Sequence, residues 1–194
     1  TRQAIEKGSL LARLRRNKYL FYGATGYETD RAAAIAEAEH EASQFNASIY
    51  WTEQLAWFYE NEGETEKAIK AYEKCIVNGY YAPICDLALI YLAEGDEGYY
   101  ETLMKVGMQL GVTDCNILGI ENESRWESLN GDERLDLYRQ LKRNLTEGTS
   151  QGSGYCAYVL ADAFLNGKFG FDIDLQKGKE YAEQALTCGY NMAA

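Results

Sequence analysis

Few side chains in this sequence have the types and spacing that chemistry requires. His40 is the only histidine, so a site built from several histidines is excluded. His40 is also the only imidazole that could serve as the base for a Ser or Cys nucleophile. It lies among glutamates on an exposed-looking face of a predicted helix, where a solvated histidine is the expected interpretation. We predict no catalytic residue.

The cysteines give no metal or disulfide pattern. Their number is odd, their spacing is irregular, and no two form a C-x-x-C pair, which argues against zinc and against a disulfide framework. Cys75 stands at a small-residue position of a predicted helix and is expected to pack there. The five cysteines are Cys75, Cys85, Cys115, Cys156 and Cys188.

Two loop-like segments could be mistaken for ion sites. Asp172, Asp174 and Glu183 stand at positions 1, 3 and 12 of a candidate calcium loop, but Lys177 occupies the position that requires glycine. Asp174 is better interpreted as a helix N-cap. The segment GTSQGSG within 147–154 lacks the lysine of a phosphate-binding loop. We therefore expect no metal and no cofactor.

Composition narrows the class of protein. The chain has 194 residues, 46% hydrophobic, with a single proline, which favours an ordered helical protein. The net charge of −11 argues against nucleic acid as the main ligand, because phosphates would be repelled. The charge serves solubility, or it attracts a basic partner. No apolar run approaches the ~18 residues of a membrane span, so no membrane insertion is expected.

The sequence does not decide the compartment. No signal peptide is visible, and we favour the cytoplasm. The chain begins at Thr1 without Met, so a leader could have been removed. The last residues, 191–194, look like the start of another repeat, and we expect a fragment or a lost capping helix.

The elements that position these side chains are helices. Residues 155–190 show apolar residues at helical spacing on both sides of a glycine-containing loop, which predicts two helices folded back on each other. Ala161 leaves room for the second helix, and Phe164 and Tyr181 fill the space around it. Such a pair cannot bury its outer faces alone and should stack on further pairs.

This stretch resembles a Sel1-like repeat, a relative of the tetratricopeptide repeat. The residues that carry the resemblance are Leu160, Ala161, Phe164, Gly167, Gly170, Phe171, Asp174, Gly178, Tyr181, Ala185 and Gly189. Phe171, Gly178 and Leu186 stand where Val, Ala and Ala are usual. The resemblance implies an all-α fold, a right-handed α-solenoid of about five antiparallel helix pairs.

Two further units repeat each other. Segments 49–79 and 81–111 match with a spacing of 32 residues, as the recurrence of Leu55 at Leu87, Tyr59 at Tyr91 and Gly63 at Gly95 shows. Their shorter loop is closer to the tetratricopeptide pattern. The single predicted domain, 1–194, therefore has units near 1–46, 47–79, 80–111, 112–147 and 155–190, with a Gly/Ser-rich connector over 148–154.

The remaining elements follow from local signals. A helix over 1–22 carries an apolar stripe that includes Ile5, Leu11 and Leu14, and a basic cluster that is expected to be solvated or paired with glutamates. Asp30 caps a helix that reaches about Phe45, with Phe45 on the apolar face. Helices are expected at 114–128 and 132–146, the second capped by Asp132 and buried through Leu135, Tyr138, Leu141 and Leu145. The basic cluster is Arg13, Arg15, Arg16 and Lys18.

The resemblance also indicates a surface, because the first helix of each tetratricopeptide pair lines the concave face. The ligand-facing positions would be Tyr50, Glu53, Trp57, Glu60, Asn61, Tyr155, Tyr158, Asp162 and Asn166. Aromatic rings beside carboxylates suit a peptide that carries Lys or Arg; the same rings could instead pack between repeats.

We therefore predict a non-enzymatic scaffold or adaptor that binds a protein or peptide, one that could be basic, in a helix-lined groove. Two alternatives stay open. One is a peptide-sensing regulator in which the Gly-rich connector moves the last repeat. The other, implied by a few secreted Sel1-like proteins, is a hydrolase of β-lactams.

Overall fold

The computed structural model describes residues 9–24, 26, 28–122 and 130–190, and over these the chain forms ten α-helices and no strand. This confirms the all-α prediction. None of the described helices is both long enough and apolar enough to cross a bilayer. The helices are α1 Leu10–Tyr22, α2 Arg31–Ser43, α3 Ile49–Asn61, α4 Thr65–Val77, α5 Ile84–Ala93, α6 Glu97–Gln109, α7 Thr113–Glu121, α8 Gly131–Ser150, α9 Gly154–Asn166 and α10 Leu175–Thr187.

The chain divides into two compact units, Thr1–Tyr100 and Glu101–Ala194, and the boundary falls inside α6. In the first unit, α1 packs on α2, α2 on α3, α3 on α4 and α4 on α5, and α1 also reaches α3. In the second unit, α7 packs on α8, α8 on α9, and α9 on α10. The helix pairs in contact within each unit are thus mostly neighbours in sequence, as expected of helical hairpins.

The core of the first unit forms where small residues let α2 approach closely. Ala34 and Ala38 are fully buried, and beside them the rings of Phe21 and Phe58 stack with centroids 4.1 Å apart. Asp30 caps α2 as predicted, since its Oδ1 accepts from the Ala33 N–H at 2.9 Å. The prediction for Phe45 is wrong: α2 ends at Ser43, so Phe45 leaves the buried face and is fully exposed.

The two repeated segments make equivalent backbone turns. The N–H of Glu64 donates to the Tyr59 carbonyl at 2.8 Å, and 32 residues later Asp96 donates to Tyr91 at 2.9 Å. Gly63 and the matching Gly95 both have positive φ, 76° and 85°, a conformation that glycine adopts without strain. The sequence repeat is therefore a repeat of local backbone structure.

The hairpin of α9 and α10 shows the predicted small–aromatic packing. Ala161 is buried, and the Phe164 and Tyr181 rings stack in parallel 5.6 Å apart. Asp174 caps α10 by accepting from the Lys177 N–H at 3.0 Å, as predicted. A Cβ on Gly178 would lie 2.6 Å from the Leu165 side chain, so glycine is required here by the close approach of α9.

Helix α8 differs from its prediction at its start and on its buried face. The cap is Asn130 rather than Asp132, because the Asn130 side chain accepts from the Glu133 N–H while Glu133 accepts from the Asn130 N–H. This reciprocal arrangement satisfies two N-terminal donors. Leu135 is exposed and Leu137 is buried instead. Helix α7 ends at Glu121 with Asn122 as its C-cap, and residues 123–128 of the predicted helix lie outside the described residues.

Only residues 151–153 of the predicted Gly/Ser-rich connector, 148–154, lie outside helices. Helix α8 continues to Ser150, and Ser153 already caps α9 by accepting from the Cys156 N–H at 3.2 Å. The glycine within α8 has a packing reason, since a Cβ on Gly148 would lie 2.5 Å from the Cys156 sulfur. Gly148 therefore marks a tight helix contact.

Candidate functional site

A groove of about 440 Å³ lies on the surface of the first unit. One wall comes from α1 and the other from α3, while α4 and α5 contribute one residue each. The groove brings together three of the predicted concave-face residues, and Leu11, predicted for the core, is exposed and lines it as well. Its lining is Leu11, Leu14, Arg15, Lys18, Tyr50, Glu53, Gln54, Trp57, Tyr72 and Asp86.

A buried amide network fixes α1 against α2 and α3 beneath the groove. The Asn17 side chain is fully buried. It donates to the Ala34 carbonyl at 3.0 Å and to the Glu37 carboxylate at 2.8 Å, and it accepts from Gln54 Nε2 at 2.6 Å. Since buried polar groups are costly unless they are bonded, this network selects one arrangement of the three helices.

The aromatic side of the groove centres on Trp57, which is 36% exposed. The Lys18 ammonium lies 4.4 Å from the centre of its ring, and the Tyr22 ring packs 4.9 Å away at a tilt of 54°. Burial raises the pKa of the Tyr22 hydroxyl to about 12, so Tyr22 is neutral at physiological pH. Tyr50, 47% exposed, is a second ring that a ligand can reach.

The acidic side of the groove centres on Glu53, which is half-buried. Its Oε1 accepts from the Tyr80 hydroxyl at 3.0 Å. Burial raises the pKa of Glu53, and this effect outweighs the opposing hydrogen bond from Tyr80 and the attraction of Lys18. Asp86 adds an exposed carboxylate to the same lining. The groove therefore presents carboxylates beside aromatic faces.

The other two predicted residues of this set serve the structure around the groove. Glu60 accepts from the buried Tyr72 hydroxyl at 2.7 Å, and the Asn61 amide donates to the Trp57 carbonyl at 2.8 Å. Neither belongs to the lining. Together they hold the end of α3 and the ring of Tyr72, which lies in the groove wall.

The basic cluster of α1 is partly paired with glutamates of α2. Arg13 pairs with Glu41 and Arg16 with Glu37, as the solvated or self-paired interpretation expects. Arg15 and Lys18 face the groove instead. The cluster thus divides into two residues that bridge helices and two that contribute positive charge to the groove.

The predicted residues of the second unit lie along α9. The Tyr155 hydroxyl donates to Asp114 at 2.6 Å, and the exposed Tyr158 ring packs 5.3 Å from Tyr190. Lys168 donates to the Asp162 carboxylate at 2.9 Å, and Asn166 donates to its other oxygen at 2.6 Å. The carboxylate of this set is therefore already paired with a cation of the same unit.

A second groove, of about 470 Å³, lies in the second unit, and none of the predicted site residues lines it. Glu133, one of its lining residues, is engaged in the cap of α8. The lining residues are Lys105, Met108, Gln109, Glu133, Asp136, Leu137 and Gln140. The described residues that line it include no aromatic ring, in contrast to the lining of the first groove.

His40 and Cys75, the residues considered for chemistry, do not line the first groove. His40 is exposed near the end of α2, where Gln44 bonds its carbonyl at 2.9 Å. Cys75 is buried, and burial raises the pKa of its thiol to about 12. All five cysteines are free. Among the described residues, no group of three or more His, Cys, Asp or Glu is placed to hold a metal ion.

Sequence reasoning missed Asn17, Lys18 and Gln54 as parts of one site. A polar residue within a basic helix is normally read as solvated, so no sequence signal marks Asn17 as buried. The repeat resemblance indicated the residues of α3 but gave no register for α1.

Comparisons of the chain with known protein families, with curated proteins and with solved structures find no match.

Proposed function

We propose that this chain is a non-enzymatic protein-interaction module that binds a peptide segment bearing Lys or Arg in the groove between α1 and α3. The observation that carries the proposal is the shared lining of Tyr50, Glu53 and Trp57 in one groove of about 440 Å³. That volume falls within the range of ligand-binding clefts. Exposed aromatic rings next to carboxylates favour cationic side chains.

Long-range electrostatics support a basic partner. The net charge of the chain is −11, and a field of this sign raises the encounter rate with a positively charged segment. Arg15 and Lys18 moderate the field at one wall only. A peptide whose cationic residue faces Glu53 and Asp86 would therefore bind in a preferred orientation.

The architecture that the sequence predicts belongs to the same proposal: a right-handed solenoid of about five antiparallel helix pairs, resembling Sel1-like and tetratricopeptide repeats. The matching turns after Tyr59 and Tyr91 and the small–aromatic packing of α9 on α10 support it. In such repeats the first helix of a pair presents the binding residues, which is the role proposed here for α3.

Selection of peptides from a random displayed library tests the proposal. Wild type should enrich a convergent motif with Lys or Arg near an aromatic or aliphatic residue, and Trp57→Ala should lose that enrichment. Phe45→Ala is the matched control, because it removes another exposed aromatic ring outside the groove. Absence of a convergent motif, or equal enrichment by Trp57→Ala, would refute the groove as the binding site.

A further inference from the structure

The groove already holds a cation of its own chain. The Lys18 ammonium lies 4.4 Å from the centre of the Trp57 ring, well inside the distance at which a cation is attracted to an indole face. Tyr22 packs against the same indole. Glu53 lines the same groove and attracts the Lys18 ammonium. A ring, a second ring and a carboxylate are the elements from which ammonium sites are built.

Lys18 is placed so that a ligand can displace its ammonium from the Trp57 ring. The residue as a whole is exposed, and only its ammonium is covered, by the Trp57 ring; a rotation of the four-carbon stem would return the ammonium to water. Burial of the ammonium lowers the pKa of Lys18 more than Glu53 raises it. The ammonium thus recovers hydration when it leaves the groove, and this offsets part of the attraction lost.

We propose that the Trp57 face is an ammonium subsite, that Lys18 fills it in the unliganded chain, and that the lysine side chain of a bound peptide displaces Lys18. This inference rests on the proposed function and identifies lysine as the peptide side chain that the groove recognises. Lys18 then acts as an intramolecular competitor that lowers the affinity for every lysine-bearing ligand.

The exchange has a predictable size. The ligand ammonium makes the cation–π contact that Lys18 gives up, so the contact itself cancels. The ligand must still compete with the Lys18 ammonium, whose tether keeps it at a high local concentration near the Trp57 ring. Removal of the tethered ammonium should therefore tighten binding of a lysine probe by about two- to fivefold, the factor typical of one partly exposed cation–π contact.

The experiment titrates Nα-acetyl-lysine methylamide into the full chain and follows the Trp57 indole N–H resonance, assigned by its loss in Trp57→Phe. Lys18→Ala should bind the probe about two- to fivefold more tightly than wild type. Arg15→Ala is the matched control, since it removes the same charge from the same wall and leaves the Trp57 face occupied. Nα-acetyl-norleucine methylamide, a neutral probe of similar length, should gain nothing.

Three outcomes would overturn the inference: no greater gain for Lys18→Ala than for Arg15→Ala, an equal gain for the norleucine probe, or no binding of the lysine probe to either protein. The peptide selection separates this from failure of the proposed function. If peptides converge on a motif that needs Trp57 while Lys18→Ala gives no gain, only the ammonium subsite is wrong. If no motif converges, the peptide groove itself is wrong.

Discussion

Replacement of Asn17 by alanine should destabilise the first unit far more than its polar character suggests. The side chain is fully buried and makes three hydrogen bonds that join α1 to α2 and α3. The substitution leaves the Gln54 amide, itself 4% exposed, without its acceptor. It also removes a hydrogen bond to the Glu37 carboxylate.

The magnitude follows from these contacts. An orphaned buried donor costs about 1–3 kcal/mol, and a hydrogen bond to a charged group contributes about 1.5–3 kcal/mol. Because Glu37 is half-buried and keeps its ion pair with Arg16, the lower part of the second range applies. We expect a loss of about 3–4 kcal/mol in the free energy of unfolding, which lowers Tm by about 6–16 °C.

The assay is thermal unfolding followed by circular dichroism at the helix band. Asn166→Ala is the matched control, because Asn166 is exposed and such substitutions cost about 0.5 kcal/mol or less. The double variant Asn17→Leu/Gln54→Leu removes both buried polar partners and should recover at least half of the loss. A single variant no worse than Asn166→Ala, or a double variant no better than the single, would refute the role of the network.

Three further predictions concern other parts of the chain. Glu53→Gln should raise Tm at pH 7. Burial raises the folded-state pKa of Glu53, so the protonated carboxyl stabilises the fold at pH values below the unfolded-state pKa of about 4.3. This stabilisation is lost as pH rises through the folded-state pKa. The gain should disappear in melts below about pH 4, and a gain that persists there would contradict the pKa argument. Gly178→Ala should lower Tm despite alanine's better helix propensity, because the added Cβ meets Leu165 at 2.6 Å; overpacking costs about 1–3 kcal/mol. The double variant Gly178→Ala/Leu165→Ala should be more stable than Gly178→Ala, and its failure to recover would exclude this clash as the cause. Asn130→Ala should cost about 1 kcal/mol through loss of the α8 cap, whereas Asp132→Ala should cost less in the same denaturant titration; the reverse order would contradict the observed capping box.

The sequence predicted those features whose physical cause is local. Asp30 and Asp174 cap helices because a carboxylate before a helix satisfies backbone donors whatever the tertiary context. The paired turns at Gly63 and Gly95 follow from equal spacing of equal residues. The prediction of α3 residues for the groove depended on the repeat pattern, and Tyr50, Glu53 and Trp57 do share one groove.

Features that depend on tertiary packing could not be predicted in this way. The choice between Leu135 and Leu137 as the buried residue depends on the angle at which α8 meets its neighbours. Gly148 looked like a linker residue, yet it lies within α8, at a point where the Cys156 side chain comes too close for a larger residue. Asn17 could not be recognised as buried, because nothing in the sequence of α1 shows that two other helices carry its hydrogen-bonding partners.

The buried amide of Asn17 also limits how the first unit can respond to a ligand. A slide of α1 by one helical turn along α3 would separate Asn17 from Ala34, Glu37 and Gln54 at once, so intermediate registers are disfavoured. The groove between α1 and α3 should therefore keep one width until the three helices separate together. A ligand that fits this width would raise the thermal stability of those helices. A ligand that needs a wider groove would not bind, because the groove does not widen to admit it.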